Sequence, residues 1–216
     1  MNTSLTTSPW LRALPLAASL MLLAGCSALS SQQRDPVTLY APLVQVTPDP
    51  NWPKVDWQLA VVKPTASRVV DSPRIAVRPV PGEIQVYRGV SWSQPSTGMI
   101  EDLVLNALED SGKIASVARP ASGIRADYRL VLDLRRFDSD YAGSPLPSAV
   151  IELNAKLLQS SDQRVVASRT FLVSKPATTT AIPQVVEAFE QSLQTLGQEV
   201  VGWTLAEGEA DARRQR

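Results

Sequence analysis

Two groups of side chains in this 216-residue sequence have types and spacing that could do chemistry. They are the lone cysteine, Cys26, and the charged run Arg135, Arg136, Asp138 and Asp140. The sequence contains no histidine, which excludes Ser-His-Asp and Cys-His catalysis, histidine metal ligands and an imidazole pH switch. A single cysteine forms neither an internal disulfide nor a thiolate zinc site. We therefore expect no catalytic residue, no metal site and no cofactor.

The charged run at 135–140 lies near the end of a predicted strand. Its two arginines and two aspartates could form a polar binding site, but a solvated strand end is the favoured interpretation. Overall, 21 basic residues balance 21 acidic ones, so the formal net charge is zero. The chain therefore lacks the basic surplus that binds nucleic acid, and we expect no nucleic-acid partner.

The N-terminal residues predict export and lipid attachment. An apolar stretch from Leu14 to Ala24 follows Arg12, and it is about half as long as the ~20 residues that cross a bilayer, so it reads as the core of a signal peptide. It ends in Leu23-Ala24-Gly25-Cys26, which resembles the lipobox of bacterial lipoproteins. The resemblance implies cleavage before Cys26, two acyl chains on its thiol and a third on the new amine. A cysteine buried at the end of an apolar helix is the alternative.

These features predict the organisation of the whole chain. Residues 1–25 form the signal peptide, 26–36 a lipidated flexible tether, 37–206 the folded domain and 207–216 a disordered polar tail. Ser27 follows the lipidated residue. Because aspartate there is the usual signal for retention in the inner membrane, serine favours the outer membrane, with the domain on its periplasmic face.

Hydrophobic periodicity predicts the secondary structure of the domain. Ten prolines between residues 36 and 95 favour short strands and turns. Period-2 alternation predicts antiparallel strands, and spacing of 3 and 4 predicts two helices. The predicted strands are 37–43, 57–62, 74–80, 84–88, 128–135, 149–157 and 165–173, and the predicted helices are 95–111 and 183–206.

The predicted fold class is α+β: a two-layer sandwich of a mostly antiparallel sheet with two helices packed on one face. The second helix carries a heptad seam from Ile182 to Trp203. This seam could pair with a partner in a coiled coil, but packing of the helix along the same sheet is the favoured interpretation.

Three exposed-looking residues are candidate partner contacts. Arg169 shares a strand face with apolar side chains, which suits either an edge residue whose charged end reaches solvent or a polar contact to a partner. Tyr141 and Leu146 lie in a proline-rich loop, 141–147. That loop is either an ordinary hairpin connection or a site that contacts a partner or lipid.

Several segments of the mature chain resemble the ABC-type transport auxiliary lipoproteins. The resemblance rests on residues 72–88, 92, 108–112, 127–130, 137–143, 169–171 and 201–203. It implies a non-enzymatic outer-membrane lipoprotein that self-assembles and accompanies an MCE-domain protein and its ABC transporter. Those systems move phospholipid or other hydrophobic molecules between the inner and outer membranes.

The resemblance and the predicted sheet suggest a docking module. In this hypothesis the acyl chains on Cys26 hold the domain at the membrane, and a sheet edge or the solvated sheet face receives the MCE-domain protein. Two alternatives remain open. One is a lipoprotein that assists the assembly of lipopolysaccharide or barrel proteins in the outer membrane. The other is a periplasmic lipid carrier with an acyl-chain cavity.

Overall fold

A computed structural model describes residues 36–123 and 125–216, so the predicted signal peptide and Cys26 lie outside the described residues. This part of the chain contains ten strands and two helices. The strands are β1 (Thr38–Tyr40), β2 (Val55–Val61), β3 (Thr65–Ala66), β4 (Ala76–Arg78), β5 (Gln85–Val86), β6 (Val90–Trp92), β7 (Ile114–Ala118), β8 (Tyr128–Asp140), β9 (Ser148–Gln159) and β10 (Val165–Pro176). The helices are α1 (Ser96–Ser111) and α2 (Ile182–Arg214).

The main sheet is built around β8. Along one side β8 pairs with β9 in antiparallel orientation, and β9 pairs in turn with β10. Along its other side β8 pairs successively with β2, β3 and β4, all in parallel orientation. The main path runs β10-β9-β8-β2-β7, and β1 and β6 form a separate two-stranded parallel sheet.

The predicted α+β sandwich is confirmed. Antiparallel pairing dominates the three long strands, where alternate side chains such as Leu130, Leu132 and Leu153 are fully buried against the helices. The sequence did not predict β7 or the parallel pairing of β2 with β7 and β8. Parallel pairing joins residues that are distant in sequence, and the short run Ile114–Ala118 lacks a clear alternation of apolar and polar residues.

Three of the predicted early strands are shorter in the structure. The predicted strand at 37–43 is confined to Thr38–Tyr40, and the one at 74–80 to Ala76–Arg78. The one at 84–88 is confined to Gln85–Val86. Pro42 and Pro79 follow closely after the first two strands, and proline cannot donate a hydrogen bond to a strand ladder.

Both helices pack on the same face of the sheet. The heptad seam of α2 is turned into the core, where Phe189, Leu196 and Val200 are fully buried. The helix contacts β8, β9 and β10 as well as α1, so the interpretation of packing along the sheet is confirmed. Trp92 and Phe137 meet Phe189 between the layers, with ring centroids 5.1 and 4.9 Å from that of Phe189.

The connection from β1 to β2, residues 41–54, crosses α2 beside α1. Val46 and Trp52 approach the helix where it has no side chain, at Gly197 and Gly202. A Cβ atom at either glycine would lie 2.6 Å from Val46 Cγ2 or Trp52 Nε1, respectively. The glycines therefore let this segment pack directly on the helix backbone.

The prediction of a disordered tail at 207–216 was wrong, because α2 continues to Arg214. Asp211 is buried, and its carboxylate accepts hydrogen bonds from Tyr128 at 3.2 Å and from Arg164 at 3.1 Å. Gly208 packs on the indole of Trp57. The polar side chains of this segment suggested disorder, but in the structure they form contacts between the helix end and the sheet.

Candidate functional site

The outer strand of the main sheet, β10, has one open edge. Among the described residues it pairs only with β9, through eleven pairs of residues. The N–H of Ala177 donates to the carbonyl of Pro147 at 2.9 Å, which fixes the phase of the antiparallel ladder. Because hydrogen-bonded pairs alternate along such a ladder, odd-numbered residues of β10 point their backbone groups at β9. Even-numbered residues from Ser168 to Ser174 point theirs away from it.

The open edge therefore offers a row of backbone donors and acceptors. Ser168, Thr170, Leu172 and Ser174 present both an N–H and a carbonyl group, and all four residues are exposed. Leu172 is 64% exposed, although its side chain is large and apolar. A row of this kind can pair with an additional strand. We call this row, Ser168–Ser174 at even positions, the open edge of β10.

The charge on β10 has one sign. The strand contains Arg169 and Lys175 and no acidic residue. Lys175 forms no ion pair with the residues that the structure describes. Arg169 reaches towards α2, where its guanidinium lies 3.9 Å from a carboxylate oxygen of Glu199 and 4.7 Å from the ring centroid of Phe171. The charged side chains of β10 are therefore both positive, and that of Arg169 faces Glu199.

The contacts of Arg169 correspond to one of the two interpretations given for it. Its guanidinium lies over the ring of Phe171, its side chain is half exposed, and its ionic partner belongs to the same chain. This is the arrangement expected of an edge residue whose charged end reaches solvent. Half of the Arg169 side chain is accessible to a partner, and a contact of this kind stays a prediction.

Tyr141 and Leu146 lie in the loop that joins β8 to β9. Asp140 Oδ1 accepts the N–H of Ala142 at 2.9 Å, and Ala142 adopts a positive φ of 47° that turns the chain. Leu146 is 40% exposed, whereas Tyr141 is half-buried. Arg169 lies seven residues along β10 from Pro176, beside this loop, or about 24 Å at ~3.4 Å per residue. Tyr141 and Leu146 therefore lie in one loop, and Arg169 lies at a separate position on β10.

The charged run at 135–140 is divided by an irregularity in β8. The pairing with β9 shifts between Leu134 and Arg136. Arg136 then binds Asp138 at 2.8 Å and Asp140 at 2.6 Å, while Arg135 is directed to Asp133 and Glu152. Three of the four predicted residues come together.

A second arginine, Arg78 on β4, completes this cluster and was missed in the sequence. Its Nε donates to Asp138 Oδ2 at 3.0 Å, because β4 runs beside the end of β8 with Arg78 opposite Asp140. The buried carboxylate of Asp138 is thereby held between two arginines. Hydrogen bonding to Asp138 raises the pKa of Arg136. The two positive and two negative charges balance, which is typical of a structural ion-pair network.

The described residues show no arrangement for metal binding or membrane crossing. Between residues 36 and 216, leaving out 124, no group of three or more acidic or cysteine side chains could hold a metal ion. Neither α1 nor α2 is apolar enough over a sufficient length to span a bilayer.

Comparisons with known proteins identify a matching family and a similar solved structure. A family model described as "ABC-type transport auxiliary lipoprotein component" matches residues 38–201. A crystal structure of a protein from Xanthomonas campestris shares 61% sequence identity with this chain, with a TM-score of 0.80. The match covers 82% of this chain and 99% of the Xanthomonas protein.

More distant relatives add less. An uncharacterized protein of Bradyrhizobium diazoefficiens is 25% identical over 147 residues, which are 68% of this chain and 39% of the relative. This chain therefore spans less than half the length of that relative. The structure of a hypothetical protein from Chlamydia trachomatis is 8% identical, covers 71% of this chain and 98% of its own, and has a TM-score of 0.51. It shows likeness of fold alone.

Proposed function

Because this chain belongs to the family of ABC-type transport auxiliary lipoprotein components, we propose that it is the outer-membrane docking component of an MCE-domain transport system. It is non-enzymatic in this role. The system moves phospholipid or other hydrophobic molecules between the inner and outer membranes, and an ATPase elsewhere in the assembly supplies the energy. The observation that carries the proposal is the family match over residues 38–201.

Anchoring is assigned to Cys26. Removal of residues 1–25 leaves this cysteine at the new N-terminus, with acyl chains on its thiol and amine. One acyl chain holds a protein to a membrane only weakly, whereas two or more give durable attachment. The eleven residues 26–36 then connect the lipid to a domain on the periplasmic face of the outer membrane.

Docking is assigned to the open edge of β10. An extended segment of the MCE-domain protein would pair with the outward backbone groups of Ser168, Thr170, Leu172 and Ser174. Main-chain pairing of this kind supplies affinity, and the side chains beside it supply specificity. Because Arg169 and Lys175 are the only charged residues of the strand, an incoming segment with acidic side chains is favoured. Self-association, in which a second copy uses the same edge, is part of the proposal as a competing use of β10.

The space between the layers bears on the lipid-carrier alternative. Leu59, Ile100, Leu130 and Phe189 are fully buried between sheet and helices, so the side chains of the described residues pack there as a core. A carrier would need that space for an acyl chain. The packing therefore favours docking over carriage of lipid inside this domain.

One experiment tests the anchor. Cys26→Ala in the full-length protein should remove the protein from the outer-membrane fraction. Cys26→Ser is a second variant that keeps the size of the side chain but cannot be acylated through sulfur. Retention of either variant in the outer-membrane fraction would contradict anchoring through Cys26.

A second experiment tests the docking surface. A photo-crosslinking amino acid at position 172 should capture an MCE-domain protein in cells. The same amino acid at position 109, an exposed site on α1, is the matched control and should not. Crosslinks from position 172 to a barrel protein would instead favour the assembly alternative. Crosslinks only between copies of this chain would assign the edge to self-association.

A further inference from the structure

The extended segment that enters the domain has an apolar outer side. From Val37 to Val46, even-numbered residues from Tyr40 onwards are partly buried, whereas the odd-numbered ones are exposed. The exposed fractions of Val37, Leu39 and Leu43 are 56%, 65% and 87%. We call Val37, Leu39, Ala41 and Leu43 the outer stripe.

The stripe is held in this orientation by the inner side of the segment. The N–H of Thr38 donates to Gly89 O at 2.9 Å, and Tyr40 O accepts the N–H of Ser93 at 2.8 Å. The N–H of Leu43 donates to Glu190 Oε1 at 3.0 Å. Backbone pairing on β6 and contact with α2 therefore prevent the stripe from turning towards the core.

An exposed apolar stripe on an extended segment is unusual. A segment with one buried side ordinarily carries polar residues on the other. Here no charged residue occurs between Pro36 and Pro48, and four of the five outward positions from Val37 to Gln45 are apolar, with Gln45 as the polar one at the end. Contiguous exposed apolar surface marks a site of contact with protein or membrane.

The position of the outer stripe in the sequence indicates whether it contacts a protein or a membrane. Val37 lies eleven residues after Cys26. A fully extended chain spans ~3.3–3.6 Å per residue, so an acylated Cys26 keeps the stripe within ~40 Å of the bilayer, and a flexible tether brings it closer on average. The stripe is thus the first part of the domain that the lipid anchor presents to the membrane.

From these observations, and on the proposed acylation of Cys26, we propose that the outer stripe rests on the lipid surface. Its apolar side chains would enter the boundary between head groups and acyl chains and would add a second attachment to that made by the lipid. Leu43 lines a surface depression together with Glu187 and Glu190, and the carboxylate of Glu190 accepts the N–H of Leu43. Since these negative charges oppose anionic head groups, the geometry favours a zwitterionic phospholipid surface.

Fluorescent labelling of the mature acylated protein tests this contact. Acylation consumes the thiol of Cys26, so Leu39→Cys or Leu43→Cys introduces the only free thiol for an environment-sensitive dye. Glu109→Cys is the control, because Glu109 is exposed on α1 and belongs to neither the outer stripe nor the open edge of β10. The proteins are placed in vesicles of phosphatidylethanolamine and phosphatidylcholine.

The expected result is a blue-shifted emission from dyes at 39 and 43, with quenching by a nitroxide-labelled lipid and several-fold less quenching by aqueous iodide than at 109. Equal quenching by iodide at 39, 43 and 109 would overturn the proposal. A blue shift that persists in detergent, rises with protein concentration and resists the nitroxide lipid would also overturn it, by assigning the stripe to a second copy.

Mass spectrometry of the same samples separates this proposal from the proposed function. If Cys26 carries acyl chains and the protein floats with the vesicles while the dyes at 39 and 43 stay in water, the stripe proposal alone fails. If Cys26 is not acylated and the protein does not float, the proposed anchoring fails, and the lipid contact of the stripe fails with it.

Discussion

The hydroxyl of Tyr128, at the first position of β8, donates to the carboxylate of Asp211, in the last turns of α2, over 3.2 Å. Arg164, in the turn before β10, binds the same carboxylate at 3.1 Å. One buried carboxylate thus joins the central strand, the turn leading to the outer strand and the end of the long helix. This junction is the structural basis for the first two predictions.

Removal of the charge at Asp211 should destabilise the fold in a pH-dependent way. Burial alone would raise the pKa of Asp211, but hydrogen bonds from Arg164 and Arg214 lower it below its usual value of about 3.9. The carboxylate therefore stabilises the fold fully above that value and loses its contribution as pH falls. We expect Asp211→Asn to lower the free energy of unfolding at pH 7 by ~1–3 kcal/mol.

Urea unfolding at pH 7 and at pH 3.5 measures this effect. The difference between wild type and Asp211→Asn should narrow at the lower pH. Asp110→Asn, at an exposed position on α1, is the control and should have little effect. A difference that stays constant or widens in acid would contradict the assigned role.

Tyr128 should give the opposite dependence on pH. Burial, followed by the negative charge of Asp211, raises the pKa of Tyr128 to about 12. The neutral hydroxyl therefore stabilises the fold below the ordinary tyrosine pKa of about 10, and this contribution is lost as pH rises from there towards 12. Tyr128→Phe should lower stability at pH 8 and reduce the further loss between pH 10 and 12. Thermal unfolding monitored across this range tests the prediction.

Alanine substitutions at two helix glycines should have different effects on the free energy of unfolding. Glycine to alanine in an exposed helix interior usually stabilises by up to ~1 kcal/mol. At Gly208, however, a Cβ would collide with the buried indole of Trp57, so we expect Gly208→Ala to destabilise by ~1–3 kcal/mol. At Gly98 on α1 the nearest atom to a Cβ is Oε1 at the end of the flexible Gln94 side chain, which a small rotation can move, so Gly98→Ala should be neutral or stabilising.

Chemical unfolding of both alanine variants checks this pair. The midpoint for Gly208→Ala should fall and that for Gly98→Ala should not. Similar midpoints would show that Trp57 can move aside at little cost, against the close packing described for the helix end.

Proline substitutions should separate docking from folding on β10. Leu172 points its N–H away from β9, so Leu172→Pro removes a donor from the open edge and leaves the ladder to β9 intact. Val173 points its N–H at β9 and its side chain into the core, so Val173→Pro should unfold the outer strand.

The measurements are melting temperature and recovery of the crosslinked MCE-domain partner, with the crosslinker at position 170. Leu172→Pro should melt near the wild-type temperature and lose the partner. A folded Leu172→Pro variant that still captures the partner would exclude pairing at this edge.

Local patterns in the sequence predicted the long elements well and the contacts between distant elements poorly. The spacing from Ile100 to Leu108 placed α1 within a residue, and alternation from Tyr128 to Leu134 placed the start of β8. Both depend on side chains that are close in sequence and share one buried face.

The contacts that were missed join residues that are far apart in the chain. Arg78 meets Asp138 only because β4 runs parallel to β8, and the end of α2 is ordered only because Asp211 meets Tyr128 and Arg164. Neither pairing leaves a periodic signal. Which residues of β10 point their backbone groups outwards also follows from a single hydrogen bond, from the N–H of Ala177 to the carbonyl of Pro147.

The order in which the segments are fastened has a mechanical consequence. If the protein is anchored through Cys26 and its partner pulls on β10, the tension reaches β1 first. Only three residue pairs hold β1 to β6. The next attachments are the hydrogen bond from the N–H of Leu43 to Glu190, then Val46 at Gly197 and Trp52 at Gly202, and only then does the chain enter the main sheet. With the proposed anchor at Cys26 and docking at β10, the leading segment would separate from the domain before the eleven residue pairs of β9 and β10.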